Sequence, residues 1–224
     1  MALDLNKVKK GETVGLDFTK RSDGRILAFV GLGWDTPEEL GEVDLDASVI
    51  MLGANGKPRT PKDLYFYKHL FDGHIPDENE EDKELWKKSP IAHTGDARDS
   101  AGDDNGDEEV VLIDFSKIPD DIEKLAVVVS VFDEEEKKGT KFGQVTNAYV
   151  RVCTTSDEEQ WLKGEGTEKL IYDLTEDAST STAMLFCEIV RNGSKWDFNA
   201  IGEPIGNGSG FNGLIPIAKK YGLS

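Results

Sequence analysis

The chain has 224 residues, with 26 Lys and Arg against 44 Asp and Glu, a formal net charge of −18. That balance excludes a protein that grips nucleic acid or an anionic membrane through a basic face, and it is compatible with binding cations. With 38% hydrophobic residues gathered in runs such as 26–34 and 125–132, a core can pack, so disorder is excluded for most of the chain. In chain order, strands are expected at 26–34, at 45–52 and at 64–67, with Asn55-Gly56 as a turn after the second. Residues 72–90 read as a polar insertion with a short helix over 77–88, supported by the i,i+4 pair Glu84 and Lys88. Strands follow at 110–115 and 125–132. In the latter both alternating faces are apolar apart from Ser130, the mark of a covered central strand. Further strands are expected at 147–155, 169–174, 183–190 and 196–201, the last two joined by a hairpin at Asn192-Gly193. A short C-terminal helix over 214–221 would carry Pro216 in its first turn and Gly222 just past its end. Nine or ten short strands with little helix predict a mainly β fold, an antiparallel two-sheet β-sandwich forming a single domain over 1–224.

No apolar run approaches the roughly 20 residues of a membrane-spanning helix, and residues 1–6 show no secretory signal, so neither membrane insertion nor export is expected. Cys153 and Cys187 sit in apolar, strand-like runs and read as buried thiols of a cytosolic protein, with no CxxC motif.

The acid is concentrated. Residues 72–109 hold fourteen acidic and four basic side chains, a net of −10 in 38 residues. Within that stretch, 93–109 interleaves Gly with Asp and Asn, a composition that turns tightly and can aim several oxygens inward. A second acidic pattern, Asp44-Leu45-Asp46-Ala47-Ser48, opens a strand. Alternation there puts Asp44, Asp46 and Ser48 on one side, with the two carboxylates about 6.5–7 Å apart along the strand, close enough to share a cation or hold a close pair. The loop is not an EF-hand: with Gly106 at the sixth place, Ala101 and Leu112 fall where the first and twelfth acids belong. Any cation site must therefore be assembled from separate segments. Three histidines without a zinc spacing, no Gly-x-Ser-x-Gly elbow and no phosphate loop leave other chemistries weak.

The motifs Gly31-Leu32-Gly33-Trp34-Asp35, Asp44 to Ser48, Phe66-Tyr67, His93-Thr94-Gly95-Asp96, Gly106-Asp107-Glu108-Glu109, Phe142-Gly143-Gln144-Val145, Tyr172-Asp173-Leu174, Glu176 to Ser179 and the terminal Ile217 to Gly222 occur in this order. Together they resemble the TerD family of tellurium-resistance and general-stress proteins over nearly the whole chain. The resemblance implies a calcium-binding β-sandwich of the bacterial cytoplasm without catalysis, holding a pair of calcium ions. The matched positions are Asp35, Asp44, Asp46, Asp96, Asp107 and Glu109; Asp103 and Asp104 are further acids in a longer loop. Lys68 and His69 stand where the family usually has two Asn, Glu108 is a longer acid than usual, and the 72–90 insertion is unusual. The expected partners are calcium and other proteins of a stress complex. The rival expectation is a structural or interaction subunit of a larger assembly, phage or plasmid encoded, with 72–90 as its contact surface.

Overall fold

Alternation of apolar side chains decides the layers. The computed structural model describes residues 7–18, 20–36, 43–66, 89–94, 107–132, 140–173, 180–205 and 211–223. Among them are eleven strands: β1 (Thr13–Leu16), β2 (Leu27–Asp35), β3 (Asp44–Gly53), β4 (Leu64–Tyr65), β5 (Ile91–His93), β6 (Glu109–Asp114), β7 (Ile122–Phe132), β8 (Thr146–Thr155), β9 (Thr167–Asp173), β10 (Ala183–Asn192) and β11 (Lys195–Pro204). They form a six-stranded sheet in the order β1-β11-β10-β7-β3-β4 and a five-stranded sheet in the order β5-β6-β2-β8-β9. Every pairing within the two sheets is antiparallel. The mainly β, two-sheet architecture expected from the sequence is the one observed.

The inner faces meet through Val30 and Leu32 of β2, Leu45, Ala47 and Val49 of β3, Val111 and Ile113 of β6, and Val127 and Val129 of β7. The outer faces are apolar too. On the six-stranded sheet, Ile50, Leu52, Ala126 and Val128 lie under Leu214, Ile217 and Tyr221 of the C-terminal helix α2 (Phe211–Tyr221). On the five-stranded sheet, Leu27, Phe29 and Leu112 lie under Trp161 of the helix α1 (Glu158–Leu162). Cover on both faces explains why β2, β6 and β7 read as continuous apolar runs rather than as alternation.

Both Asn-Gly turns form, with Gly56 at φ +69° and Gly193 at φ +62°. Elements too short to show a period were not legible: β1 has four residues, β5 three, and α1 five, started by Asp157 capping the N–H groups of Glu159 and Gln160. Helix α2 begins at Phe211 rather than 214, so Pro216 falls in its second turn; packing of Leu214, Ile217 and Tyr221 on the sheet offsets that cost. Gly222 ends it at φ +77°, and Leu223 N–H returns to the Ala218 carbonyl at 2.7 Å. No helix among the described residues is long and apolar enough to cross a membrane. The helix expected within the 72–90 insertion lies outside the described residues.

Candidate metal centre

Strand β4 pairs with β3 only at Val49 and Ile50, whereas β7 runs along the whole of β3 on its other side. Beyond the reach of β4, one edge of β3 has no strand beside it among the described residues, and a side chain from the opposite sheet takes that place. Glu109, the first residue of β6, is fully buried, and its Oε2 accepts the Ala47 N–H at 2.7 Å. Buried His93 of β5 stands beside it, Nε2 lying 3.5 Å from Glu109 Oε2.

Asp44 and Asp46 project from this same stretch of β3, on the face opposite Leu45 and Ala47, and both are buried. One carboxylate oxygen each from Asp44, Asp46 and Glu109 lie within 4.8 Å of one another. Three like charges that close repel by about 3 kcal/mol per pair at an effective dielectric of 20, an arrangement a bound cation reverses. Glu109 Oε1 is buried and accepts no hydrogen bond from the described residues. The buried hydroxyls of Ser48 and Ser130 also lack such a partner. Ser130 lies directly across from Asp46 in the β3–β7 pairing, and Ser48 is two residues along from Asp46 on the same side. Carboxylate and hydroxyl oxygens without thiol or amine form a donor set for a hard cation such as Ca²⁺ rather than for zinc or copper. The residues present therefore fit the metal that the resemblance implies.

Of the eight acids expected at a site, the structure brings together Asp44, Asp46 and Glu109. Asp35 is not one of the three: at the exposed end of β2 its carboxylate accepts from Asn147 Nδ2. Asp107 is buried but turned to the outer face of the five-stranded sheet. Its Oδ1 accepts from Arg151 Nε at 2.8 Å and from the Tyr149 hydroxyl at 3.2 Å. Gly31 makes this possible, since a Cβ there would lie 1.9 Å from the Asp107 carboxylate; a Cβ on Gly33 would lie 2.4 Å from the Tyr149 ring. Burial raises the Asp107 carboxyl above the ordinary range, and the Arg151 charge opposes it only in part. Glu108 turns back to β2, where Trp34 N–H donates to its Oε2 at 3.2 Å. Asp96, Asp103, Asp104, Lys68 and His69 lie outside the described residues. Ser130 and His93 were not among the expected ligands. The signal for Ser130 was its position as the lone polar residue of an apolar strand.

The thiols are not part of the oxygen cluster. Burial pushes Cys153 up to about 12 and Cys187 well above the usual thiol value, so both stay protonated at neutral pH.

A family model described as TerD domain matches residues 1–221. The chain is 38% identical to the uncharacterized protein YceE of Bacillus subtilis (strain 168), over 100% of this chain and 99% of that one. It is 37% identical to tellurium resistance protein TerD of Alcaligenes sp, covering 97% of each. It is 36% identical to general stress protein 16U of Bacillus subtilis, covering 96% of this chain and 95% of that one. Among solved structures, a homologue of telluride resistance protein (TerD) from Streptomyces coelicolor A3(2) superposes with a TM-score of 0.54 at 19% identity, over 78% of this chain and 87% of that one, a likeness of fold. The match along residues 1–221, with relatives above one-third identity over nearly their full length, places this chain in the TerD family.

Proposed function

We propose that this protein is a calcium-binding, non-catalytic stress-response protein of the cytoplasm, in which calcium ties the free edge of β3 to β6 of the opposite sheet. The observation that carries the reading is the buried Asp44, Asp46 and Glu109 cluster, together with the unsatisfied Glu109 Oε1. Asp44, Asp46 and Glu109 would hold the ion, with Ser48 and Ser130 hydroxyls beside them. Calcium supplies charge compensation there, so that metal binding becomes folding free energy for the edge. The relatives named for tellurium resistance and general stress support the physiological setting. The reading takes a pair of ions, as the resemblance implies. Other proteins of a stress complex are the partners this reading takes.

A thermal melt of the protein in excess calcium and in chelator tests it. At a hundredfold excess over Kd, binding adds about 2.7 kcal/mol, a rise of roughly 5–10 °C for a chain of this size. Combining Asp44→Asn with Asp46→Asn removes most of that rise. Equal melting temperatures with and without calcium, and no heat of calcium binding by calorimetry, would overturn the proposal.

A further inference from the structure

A cavity of about 370 Å³ opens on the outer face of the five-stranded sheet, on the opposite face of β6 from the carboxylate cluster. It is lined by Asp107, Val110, Arg151, Lys163 and the turn Gly164-Glu165-Gly166. Its volume falls within the range of about 300–1,000 Å³ usual for small-molecule sites.

The guanidinium of Arg151 is held there by a built support. Asp107, with 2% of its side chain exposed, takes only Arg151 Nε, at 2.8 and 3.0 Å from its two oxygens. Tyr149 donates its hydroxyl to the same carboxylate. Both side chains cross β2 at glycines whose Cβ atoms would collide with them. Two glycines, a buried acid and a phenol thus fix one cation, at a desolvation cost that the pair alone does not recover. Among the described residues nothing accepts from Arg151 Nη1 or Nη2, so the paired N–H groups that match a carboxylate or phosphate stay available.

The rest of the wall suits the same ligand. The Lys163 ammonium meets Glu159 at 3.1 Å, but both side chains are mostly exposed, so this pair is weak and readily exchanged. The turn beyond it is pressed onto the sheet. Gly164 has φ +68°, and a Cβ on Gly166 would stand 2.8 Å from the Thr154 carbonyl oxygen, so the wall is preformed. Glu165 adds a negative charge at the cavity and disfavours polyanions.

We propose that this cavity is a binding site for the carboxylate or phosphate group of a small, singly substituted anion, seated on the Arg151 guanidinium with Lys163 beside it. The inference is independent of calcium. Glycerol 3-phosphate and lactate, titrated separately into the protein as purified and followed by amide NMR, test it. The expected result is saturable 1:1 binding of at least one probe, with shifts centred on residues 151 and 163–166. A response to the phosphate ester alone assigns phosphate, and a response to lactate assigns carboxylate. Arg151→Lys, which keeps the charge and loses the fork, weakens binding about tenfold or more. Lys163→Glu, on an exposed side chain, weakens it without changing the melting temperature, so the test survives if the Arg151 variant fails to fold. No saturable response to either probe at millimolar concentration, or binding unchanged in the Lys163 variant, would overturn the assignment.

Discussion

Asp63 shows what a single carboxylate does when its partners are in place. Its Oδ2 accepts the backbone N–H groups of Arg59 at 2.7 Å and Thr60 at 3.1 Å, and its Oδ1 accepts from Arg59 Nη2 at 2.7 Å. Burial alone would raise this carboxyl; the Arg59 guanidinium and the two N–H groups outweigh it and hold it below its ordinary value. A depressed acid stabilises the fold above its unfolded value, about 3.9, and loses that contribution as pH falls through the folded value. Asp63→Asn is therefore expected to cost about 1–3 kcal/mol by urea unfolding at neutral pH, and the difference from wild type should shrink below about pH 4. A difference that persists unchanged in acid would assign Asp63 to packing instead. The candidate metal centre differs because its acids face one another. Asp44 and Asp46 were legible as a pair because they alternate within one strand. Their third partner was named only through the family resemblance and not through spacing: Glu109 comes from the other sheet, 62 residues beyond the Ala47 N–H it binds. Nor could spacing separate Glu109 from Asp107. β6 starts only at Glu109, so alternation does not reach Asp107, which crosses the other face over Gly31.

At the scale of elements, long apolar strands were readable to within a few residues, because burial on both faces writes them as unbroken runs. What the sequence could not show is where a strand ends up without a neighbour. β4 contributes two residues beside β3, and among the described residues the remaining edge is closed by one carboxylate rather than by a ladder. An exposed row of N–H groups is an open invitation to pairing, so Glu109 has a structural task as well as a place in the oxygen cluster. The two tasks separate by substitution. Glu109→Gln keeps an acceptor for Ala47 and removes the charge, whereas Glu109→Ala removes both. Hydrogen exchange at the Ala47 amide should stay near wild type in the Gln variant and accelerate about tenfold or more in the Ala variant. The calcium-dependent rise in melting temperature should be lost in both. Equal protection of Ala47 in all three proteins would show that something other than Glu109 closes the edge.

For the whole molecule, charge has two parts with opposite responses to salt. A net −18 on a folded chain destabilises it by self-repulsion, a long-range effect that added salt screens. Raising KCl from about 0.01 M to about 0.15 M shortens the screening length from about 30 Å to about 8 Å, so the calcium-free protein should become more resistant to urea, an uncharged denaturant. The three-carboxylate cluster spans under 5 Å and is buried, so salt screens its internal repulsion far less. Salt does, however, weaken the long-range attraction that draws a divalent cation to an acidic surface. The calcium increment in urea midpoint should accordingly shrink over the same range in which the calcium-free midpoint rises. Urea titrations at the two salt concentrations, each with calcium and with chelator, separate the terms. If both midpoints rise together by the same amount, the calcium increment does not depend on salt, and long-range attraction by the surface acid contributes nothing to it. If they converge, the surface acid helps to hold calcium, and the increment that survives at about 0.15 M is the share of the buried cluster.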